Sequence, residues 1–598
     1  MCGFSVIFAY APDAPPVAAG EVRRINERMR ARGPDGEGEW FSNDRRIGFG
    51  HRRLAIIDPS ETGAQPMQLA GGDGTPRLVI TYNGEIYNYQ ILRDELTAEG
   101  RSFASNSDTE VLLHLYDRDG PEMVHKLRGM FALAIWDVEK QGVFLARDPF
   151  GIKPLYYATD GKTFRAASQV KALLAGGQID TSPDPGGHVG FFMFGYVPEP
   201  HTLYNGVKAL PSGSSLWIDR KGAPAVRTYF DVSAHLAARS AEVSKSDVLE
   251  KLHAALSDSV AHHLVSDVPV GVFLSAGLDS ATVTGLASEH TNAALQSMTL
   301  QFDELAGGNM DEAPLAEEIA TLYQTRHQTR TVRGAEFHHD MDHLFVSMDQ
   351  PSIDGSNTYF VSKEAAAMGL KVALSGLGGD ELFGGYPSFQ QIPKLAGSLG
   401  RIPGLSSAGR AIRYVSAPFL KRITSPKYAS LFEYGGSYSG AYLLRRGLYL
   451  PWELPDVMDG DMAAAGWRAL QPLVRLEGTV DGIADEKARV SALELTWYMR
   501  NQLLRDSDWA GMAHSLEIRT PLVDATLFAE IAGLDASKLD MAAAPRLSLP
   551  PSVLNRPKTG FYMPVREWLI GEHPDHSGER GYRGWARHVY AQATQAHV

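Results

Sequence analysis

An apolar strand that runs directly into a turn of small residues restricts the fold of this chain more than any other feature. Residues 270–274 are apolar, and Ser275-Ala276-Gly277-Leu278-Asp279-Ser280 and then a predicted helix follow them. A second apolar run, at 372–374, leads into a glycine-rich segment at 375–386. Buried strands that alternate with helices are typical of a parallel sheet. Because ligands bind at the carboxyl edge of such a sheet, we expect both loops to face one crevice.

Both loops carry groups that suit the phosphates of a nucleotide. A helix N-terminus presents backbone N–H groups and the positive end of the helix dipole, which favour an anion. Ser275 and Ser280 add hydroxyl donors to the first loop. Asp279 and Asp380 supply hard oxygen atoms of the kind that Mg²⁺ prefers. Gly376 allows the backbone of the second loop to approach a ligand closely.

The first two hundred residues have the patterns of a domain with both helices and strands. Strands are predicted at 3–10, 46–51, 77–82, 130–137 and 143–146. Helices are predicted at 21–31, 89–98 and 108–117, the last with Ser107 as its N-cap. A stretch with proline and glycine from 197 to 222, then a polar stretch to 246, indicates a boundary. We therefore predict two domains, 1–210 and 235–598.

Length and composition exclude several classes of protein. The chain has 598 residues, of which 44% are hydrophobic and 21% charged, as in globular proteins with more than one core. Its net charge of -13 argues against nonspecific binding to nucleic acid or to an anionic membrane. The sequence shows no signal peptide and no apolar run of membrane-spanning length, so we expect a cytoplasmic protein.

The only cysteine lies at position 2, where removal of Met1 would make it the N-terminal residue. A thiol and a free α-amine would then belong to one residue. Because an α-amine has a pKa of about 8, it can act as a general base for the thiol near neutral pH. Cys2 is therefore a candidate nucleophile, although one cysteine without other motifs is weak evidence for a catalytic role.

Motifs along nearly the whole chain resemble those of one family, the glutamine-dependent asparagine synthetases with an N-terminal cysteine. The matching segments are 1–3, 32–35, 51–54, 82–88, 107–110, 147–154, 275–280, 375–386, 517–524 and 556–561. The resemblance implies an α/β and α+β protein of two domains. The first would be an N-terminal nucleophile hydrolase domain layered αββα, and the second a parallel-sheet synthetase domain with a pyrophosphate-binding loop. Glutamine, ATP, Mg²⁺ and a carboxylic acid are the implied ligands, and a homodimer is compatible with the family.

The same resemblance implies roles for individual residues. Cys2 would attack glutamine, and Asn83 with the backbone N–H of Gly84 would stabilise the oxyanion. Glutamine would be held by Arg53, Asn83, Gly84, Glu85 and Asp108. ATP would contact Leu274, Ser275, Gly277, Asp279, Ser280, Leu300, Ser375 and Gly376, and Mg²⁺ would be bound by Asp279 and Asp380. The acceptor or its adenylate would meet Glu381, Glu517, Arg519 and Lys558.

The implied reaction is ATP-dependent amidation of aspartate to asparagine through an acyl-adenylate, with ammonia released from glutamine. Two positions depart from the family pattern. Ala276 stands where the loop usually has glycine, which is tolerable if its φ is negative. Leu377 stands where aspartate-using relatives carry glutamate, and an apolar side chain cannot act as an acid, a base or an ion-pair partner.

Two other functions stay open at the level of the sequence. The same chemistry on another carboxylate, such as a sugar uronate or a peptide acid in a polysaccharide or secondary pathway, is favoured by Leu377. A non-catalytic ATP-binding interaction protein is the third candidate. Such a protein needs no nucleophile, oxyanion donor or metal ligands, so this alternative is opposed by the presence of Cys2, Asn83, Asp279 and Asp380.

Overall fold

The structure is a computed structural model that describes residues 2–72, 74–238, 245–291, 293–423, 425–557, 563–564, 568 and 581–595. It contains two α/β domains, one after the other along the chain. Lys558, predicted to meet the acceptor, lies outside the described residues. Among the helices that are described, none combines the length and the apolar character needed to cross a membrane.

Two six-stranded antiparallel sheets build the first domain. Their strands are β1 (Gly3–Ala9), β2 (Gly36–Phe41), β3 (Ile47–Arg53), β4 (Met67–Ala70), β5 (Pro76–Ile86), β6 (Gly129–Asp137), β7 (Gly142–Arg147), β8 (Tyr156–Thr159), β9 (Thr163–Ala167), β10 (Lys208–Ala209), β11 (Ser214–Asp219) and β12 (Ala225–Thr228). One sheet has the order β10-β8-β9-β1-β3-β2, and the other has the order β12-β11-β7-β6-β5-β4. The helices of this domain are α1 (Ala19–Arg28), α2 (Tyr89–Ala98), α3 (Asp108–Asp119), α4 (Val170–Gly176) and α5 (Pro185–Phe194).

The two sheets pack face to face, and helices cover their outer faces. Phe4, Val6 and Phe8 of β1 belong to the core between the sheets. Ile7 and Ala9 of the same strand belong to the core under α1 and α4. Helices α2 and α3 cover the second sheet in the same way. Because residues of a strand alternate between its faces, a strand covered on both sides is apolar throughout. The predicted αββα layering is confirmed.

A five-stranded parallel sheet forms the centre of the second domain. Its strands are β13 (Val270–Phe273), β14 (Gln296–Phe302), β15 (Arg326–Val332), β16 (Val372–Leu374) and β17 (Glu517–Arg519), in the order β15-β14-β13-β16-β17. β13 and β16 are neighbours, with Val272 opposite Leu374. The loops that follow these two strands therefore leave the same edge of the sheet, as predicted.

Helices surround this sheet and extend beyond it. They are α6 (Val232–Ala237), α7 (Lys245–His263), α8 (Leu278–His290), α9 (Ala313–Leu322), α10 (Gly334–Ser347), α11 (Ser356–Ala367), α12 (Gly379–Phe383), α13 (Ser388–Leu399), α14 (Leu405–Ile423), α15 (Leu431–Tyr434), α16 (Tyr438–Arg446), α17 (Gly460–Leu470), α18 (Pro472–Val480), α19 (Glu486–Leu493), α20 (Arg505–Met512), α21 (Ala525–Ile531), α22 (Lys538–Ala542), α23 (Pro551–Leu554) and α24 (Arg583–Gln595). A π-helix, Glu494–Leu504, joins α19 to α20.

The sheets of the first domain continue past the predicted boundary at residue 210. β11 pairs with β7 along its whole length, from Ser214 opposite Arg147 to Asp219 opposite Gly142. β12 then pairs with β11 as the edge strand. The proline and glycine residues between 197 and 222 therefore lie in the loops that flank β10 and β11, within the first domain.

Candidate active sites

Cys2 is buried immediately before β1. Its backbone N–H donates to Asn83 Oδ1 at 2.9 Å, and its carbonyl oxygen accepts from Arg32 Nε at 3.0 Å. Its thiol lies 3.9 Å from the carbonyl oxygen of Leu54. Burial raises the pKa of the Cys2 thiol, so the thiol is protonated at neutral pH. A base must therefore remove this proton before the sulfur can attack a substrate.

Asn83 and Gly84 lie side by side on β5, next to Cys2. While Asn83 Oδ1 accepts from Cys2, its Nδ2 is buried and has no hydrogen-bond partner among the described residues. A buried amide group without a partner is costly, so this donor is suited to a ligand oxygen. Gly84 is fixed by close packing, because a Cβ there would lie 2.1 Å from the carbonyl oxygen of Met130. The pair can stabilise an oxyanion that forms beside the thiol.

Arg53 and Asp108 provide charges of opposite sign in the same domain. The guanidinium of Arg53 is held by backbone carbonyl oxygens of the loop at 57–60. Asp108 is buried at the first position of α3, where its Oδ2 accepts from Tyr82 Oη and from Ile86 N–H, both at 3.1 Å. Burial raises the pKa of Asp108 to about 6. A free amino acid carries one charge of each sign, which such a pair can hold.

Glu85, predicted to contact glutamine, takes part in a buried ionic network between the domains. Its Oε2 lies 3.7 Å from Arg519 Nη2, and Arg519 Nε donates to Glu517 Oε1 at 2.6 Å. Burial, with the negative charge of Glu517, raises the pKa of Glu85 well above its usual value. Glu517 and Arg519 thus face the first domain. Ile518 between them lines the nucleotide cavity described below, because residues of a strand alternate between its faces.

A second buried ion pair joins the domains beside Cys2. Arg32 Nη1 and Nη2 donate to the two carboxylate oxygens of Asp508 at 2.6 and 3.0 Å. Because Arg32 Nε also donates to Cys2, this pair connects the thiol site to the second domain. Ser507, the neighbour of Asp508, lines the nucleotide cavity. Arg32 and Asp508 therefore connect the backbone of Cys2 to Ser507 in the wall of the nucleotide cavity.

The second site is a cavity of about 490 Å³ at the carboxyl edge of the parallel sheet. Its volume is in the range of pockets that bind nucleotides and other small molecules. All the residues predicted to contact ATP line it, namely Leu274, Ser275, Gly277, Asp279, Ser280, Leu300, Ser375 and Gly376. The structure therefore brings together both loops that the sequence singled out.

The turn after β13 is closed by its own hydroxyl groups. Ser275 N–H donates to Ser280 Oγ at 3.1 Å, and Gly277 N–H donates to Ser275 Oγ at 3.2 Å. The second loop touches the first, because a Cβ on Gly376 would lie 2.6 Å from the backbone nitrogen of Ser280. Ala276 is not among the residues with positive φ, so its predicted compatibility with the loop is confirmed.

Lys538 completes this site, and the sequence analysis did not identify it. Its Nζ contacts Asp279 Oδ2 at 2.7 Å and also contacts Asp380 Oδ1. A capping box fixes the start of α22, since Ser537 Oγ accepts from Asp540 N–H while Asp540 accepts from Ser537 N–H. That Ser-x-x-Asp pattern indicates a helix start, but nothing in it indicates that the lysine reaches two loops.

The two aspartates fit a Mg²⁺ ion that also binds phosphate. They already enclose one positive charge, that of Lys538, and carboxylate oxygens are the ligands that Mg²⁺ prefers. Among the described residues, no group of three or more histidines, cysteines or carboxylates could hold a metal ion. Because Mg²⁺ commonly takes one or two carboxylates and completes its shell with water and phosphate, this donor set suits a nucleotide-bound ion.

Leu377 lines the cavity, whereas Glu381 does not. Glu381 Oε1 accepts from Tyr386 Oη at 2.7 Å, and burial raises the pKa of Glu381 to about 7. The lining contains a further ion pair that the sequence analysis missed, in which Arg556 Nη1 donates to Glu312 Oε1 at 3.1 Å. Arg556 belongs to a family motif, but Glu312 lies outside the motifs that we matched.

Comparisons with known proteins agree with this arrangement. The profile described as "Glutamine amidotransferase domain" matches residues 1–230, and the one described as "Asparagine synthase" matches residues 251–581. Asparagine synthetase [glutamine-hydrolyzing] 1 of Bacillus subtilis is 32% identical over 96% of this chain and 88% of that protein. Asparagine synthetase B [glutamine-hydrolyzing] of Escherichia coli is 33% identical over 66% of each chain. Amidase chry2 of Gibberella zeae is 30% identical over 65% of this chain and 60% of that protein.

The two domains define a ligase of the amidotransferase type, in which a glutamine amidotransferase domain precedes a synthetase domain. The chain belongs to the family of glutamine-hydrolysing asparagine synthetases. Both the resemblance inferred from the motifs and the fold class that it implied are thereby confirmed.

Proposed function

We propose that this protein uses glutamine and ATP to convert a carboxylic acid into its amide, with aspartate as the acceptor and asparagine as the product. One observation supports this most. The first domain holds a buried thiol next to an amide donor that has no described partner. The second domain holds a nucleotide-sized cavity, and buried ion pairs join the two domains. Such an arrangement suits a protein in which one site produces ammonia and the other consumes it.

In the first site, Cys2 acts once it is the N-terminal residue. Its α-amine takes the thiol proton, and the sulfur attacks the amide carbon of glutamine. Asn83 Nδ2 and Gly84 N–H donate to the resulting oxyanion. Arg53 binds the α-carboxylate of glutamine, and Asp108 binds its α-ammonium group. Ammonia leaves with the proton from the amine, and water then hydrolyses the thioester to glutamate.

In the second site, an oxygen of the acceptor carboxylate attacks the α-phosphorus of ATP. The products are an acyl-adenylate and pyrophosphate, which is held by Ser275, Ser280 and the N-terminus of α8. Lys538 neutralises the negative charge that develops on the phosphates. Mg²⁺ held by Asp279 and Asp380 would supply further neutralisation. Ammonia attacks the acyl carbon, loses a proton and displaces AMP, which leaves the amide.

A different carboxylic acid is the second candidate for the acceptor, and Leu377 favours it. The carboxylates in the described lining are Asp279, Asp380 and Glu312, which contact Lys538 or Arg556. Glu381 and Glu517, which the family resemblance placed at the acceptor, lie outside this lining. An acceptor without a free α-ammonium group, such as a uronate or a peptide acid, requires no carboxylate at that position.

The choice of acceptor is tested by supplying the purified protein with glutamine, ATP, Mg²⁺ and a panel of carboxylic acids. With aspartate as acceptor, we expect asparagine and AMP in equal amounts. Leu377→Glu restores a carboxylate at the cavity wall, and Leu377→Gln is the matched uncharged control. If the missing carboxylate limits the use of aspartate, only Leu377→Glu will raise kcat/KM for aspartate, by about 10-fold or more. No asparagine above background despite active glutaminase would favour the other carboxylates.

Binding of glutamine should depend on pH through Asp108. Burial raises its pKa to about 6, so the side chain is charged above that pH and neutral below it. The KM for glutamine should therefore rise by about 10-fold between pH 7 and pH 5, since one unit below the pKa only a tenth of the carboxyl is ionised. Asp108→Asn should have a high KM that does not change over this range. A flat profile in the unmodified protein would exclude this role for Asp108.

A further inference from the structure

A second large cavity lies where the two domains meet, and we call it the interdomain cavity. Its volume is about 640 Å³, and no described residue lines both this cavity and the nucleotide cavity. Its wall includes Glu199, Ser212 and Phe230 from the first domain, and Arg475 and Arg500 from helices of the second. None of these residues binds glutamine, ATP or the acceptor in the proposed reaction, so the reaction leaves this cavity without a role.

Two arginines in the wall carry positive charges that no described carboxylate contacts. Arg500 forms no ion pair with a described residue, and its Nε is buried without a described hydrogen-bond partner. Arg475 donates from Nη2 to the carbonyl oxygen of Glu199, but it too forms no ion pair with a described residue. Because arginine stays charged in proteins, a buried guanidinium without a counter-charge is costly.

The carboxylates in the described lining are engaged elsewhere. Glu199 is buried, and its Oε1 accepts from Arg147 Nη1 while its Oε2 accepts from Ser212 N–H at 3.4 Å. Asp231 is exposed, and its side chain caps the N-terminus of α6. Asp481 is exposed at the end of α18. The charges of the two arginines therefore remain available to an anion that enters the cavity.

The pKa values of the two arginines show the same imbalance of charge. Burial lowers the pKa of the Arg500 guanidinium, and burial together with the positive charge of Arg500 lowers the pKa of the Arg475 guanidinium. The negative charge of Glu199 opposes both shifts without cancelling them. A lowered pKa means that the surroundings disfavour the charged form, so an anion beside these groups would be stabilising.

The helix that carries Arg500 is held against the first domain. Glu199 N–H donates to Asn501 Oδ1 at 2.8 Å, and Asn501 Nδ2 donates to two carbonyl oxygens of its own helix. This helix is the π-helix Glu494–Leu504, and π-helical turns occur frequently at functional sites. It leads directly into α20, whose Asp508 forms the ion pair beside the thiol site. A ligand in the interdomain cavity would thus bind a helix that continues to the reaction sites.

We propose that the interdomain cavity binds a small molecule through an oxyanion, either a phosphate or a carboxylate group, which Arg475 and Arg500 hold between the domains. Planar guanidinium groups pair with two oxygens of such a group at once, which makes arginine a favoured partner of both anions. The volume leaves room for an organic molecule around the anionic group. Because both domains contribute to the wall, the bound anion stabilises the contact between them.

Calorimetric titration of the full-length protein tests this proposal, with inorganic phosphate, glycerol 3-phosphate and succinate as separate probes at constant ionic strength. We expect saturable binding of at least one probe, together with a rise in Tm that saturates over the same concentrations. Arg475→Met and Arg500→Met should each raise the Kd by about 10-fold or more, because a charge-assisted contact is lost. A lower Kd for glycerol 3-phosphate than for succinate assigns the site to phosphates, and the reverse order assigns it to carboxylates.

The matched control is Arg468→Met, which removes an exposed arginine of α17 outside the described lining and should bind the probes as the unmodified protein does. Lys538→Met tests the nucleotide cavity in the same way. Binding that is lost in Lys538→Met but kept in Arg500→Met would place the anion in the nucleotide cavity and overturn the proposal. Absence of binding for all three probes would overturn it too.

Thermal unfolding without added anions distinguishes a ligand-binding arginine from one that only supports the fold. Arg500→Met should then unfold at the same temperature as the unmodified protein or a higher one, since it removes a buried charge without a counter-charge. A lower Tm for Arg500→Met under these conditions would give the arginine a structural role instead, and would contradict the proposal.

Discussion

Replacing Cys2 with alanine is expected to abolish glutamine hydrolysis while amide formation from added ammonia continues. The variant lacks the only thiol of the chain, so no acyl-enzyme can form. The second site lies in another domain and does not use the sulfur. Glutamate release should fall by about 10⁴-fold or more, as for loss of a nucleophile. AMP formation with ammonium chloride should stay within a few-fold of the unmodified protein. Undiminished glutaminase activity would contradict the assignment of Cys2.

Asn83→Asp offers a matched comparison within the same site. Aspartate keeps the Oδ1 acceptor for the Cys2 N–H but has no Nδ2 to donate to an oxyanion. Its effect should be smaller than that of Cys2→Ala, a loss of about 10²- to 10³-fold in kcat with ammonia-supported activity retained. If Asn83→Asp had full glutaminase activity, the amide would serve only to orient Cys2, and the oxyanion donor would have to lie elsewhere.

Helices and loops that are determined by residues close to one another in the sequence could be predicted. Helix α2 runs over Tyr89–Ala98 as predicted, because its apolar residues recur with the helical period. The predicted N-cap of α3 is confirmed, since Ser107 Oγ accepts from Thr109 N–H at 3.2 Å. The crevice between the loops at 275–280 and 375–386 could also be predicted. It forms when the two apolar strands that precede these loops are parallel neighbours, and the alternation of strands and helices indicates a parallel sheet.

Contacts between distant parts of the chain could not be predicted in this way. Arg32 and Asp508 are 476 positions apart, and Lys538 is 259 positions from Asp279. Patterns of periodicity and capping describe neighbours within one element, so they do not identify such partners. Strand β17 shows the same limit on a smaller scale. Its alternation separates Ile518 from Glu517 and Arg519, but three residues do not reveal which side faces the cavity.

Removing either carboxylate that contacts Lys538 is expected to stop pyrophosphate release. Asp279→Asn and Asp380→Asn keep the size of the side chain but remove its negative charge, so neither Lys538 nor a Mg²⁺ ion is held between the loops as before. Lys538→Met removes the positive charge instead. Each change should lower the rate of ATP-dependent pyrophosphate release by about 10³-fold, because charge stabilisation on the phosphates is lost. Glutamate release from glutamine, measured without ATP, should persist.

The matched control is Asp340→Asn, which breaks the ion pair with Lys363 outside the cavity lining and should leave both activities unchanged. Lys538→Arg keeps the charge but not the compact ammonium group, and comparing it with Lys538→Met separates charge from geometry. If Lys538→Arg retains much more activity than Lys538→Met, the positive charge is what the phosphates require. Near-normal pyrophosphate release by Asp279→Asn or Asp380→Asn would show that this carboxylate has no role in the reaction, because a carboxylate that binds Mg²⁺ or orients Lys538 cannot be neutralised without loss of activity.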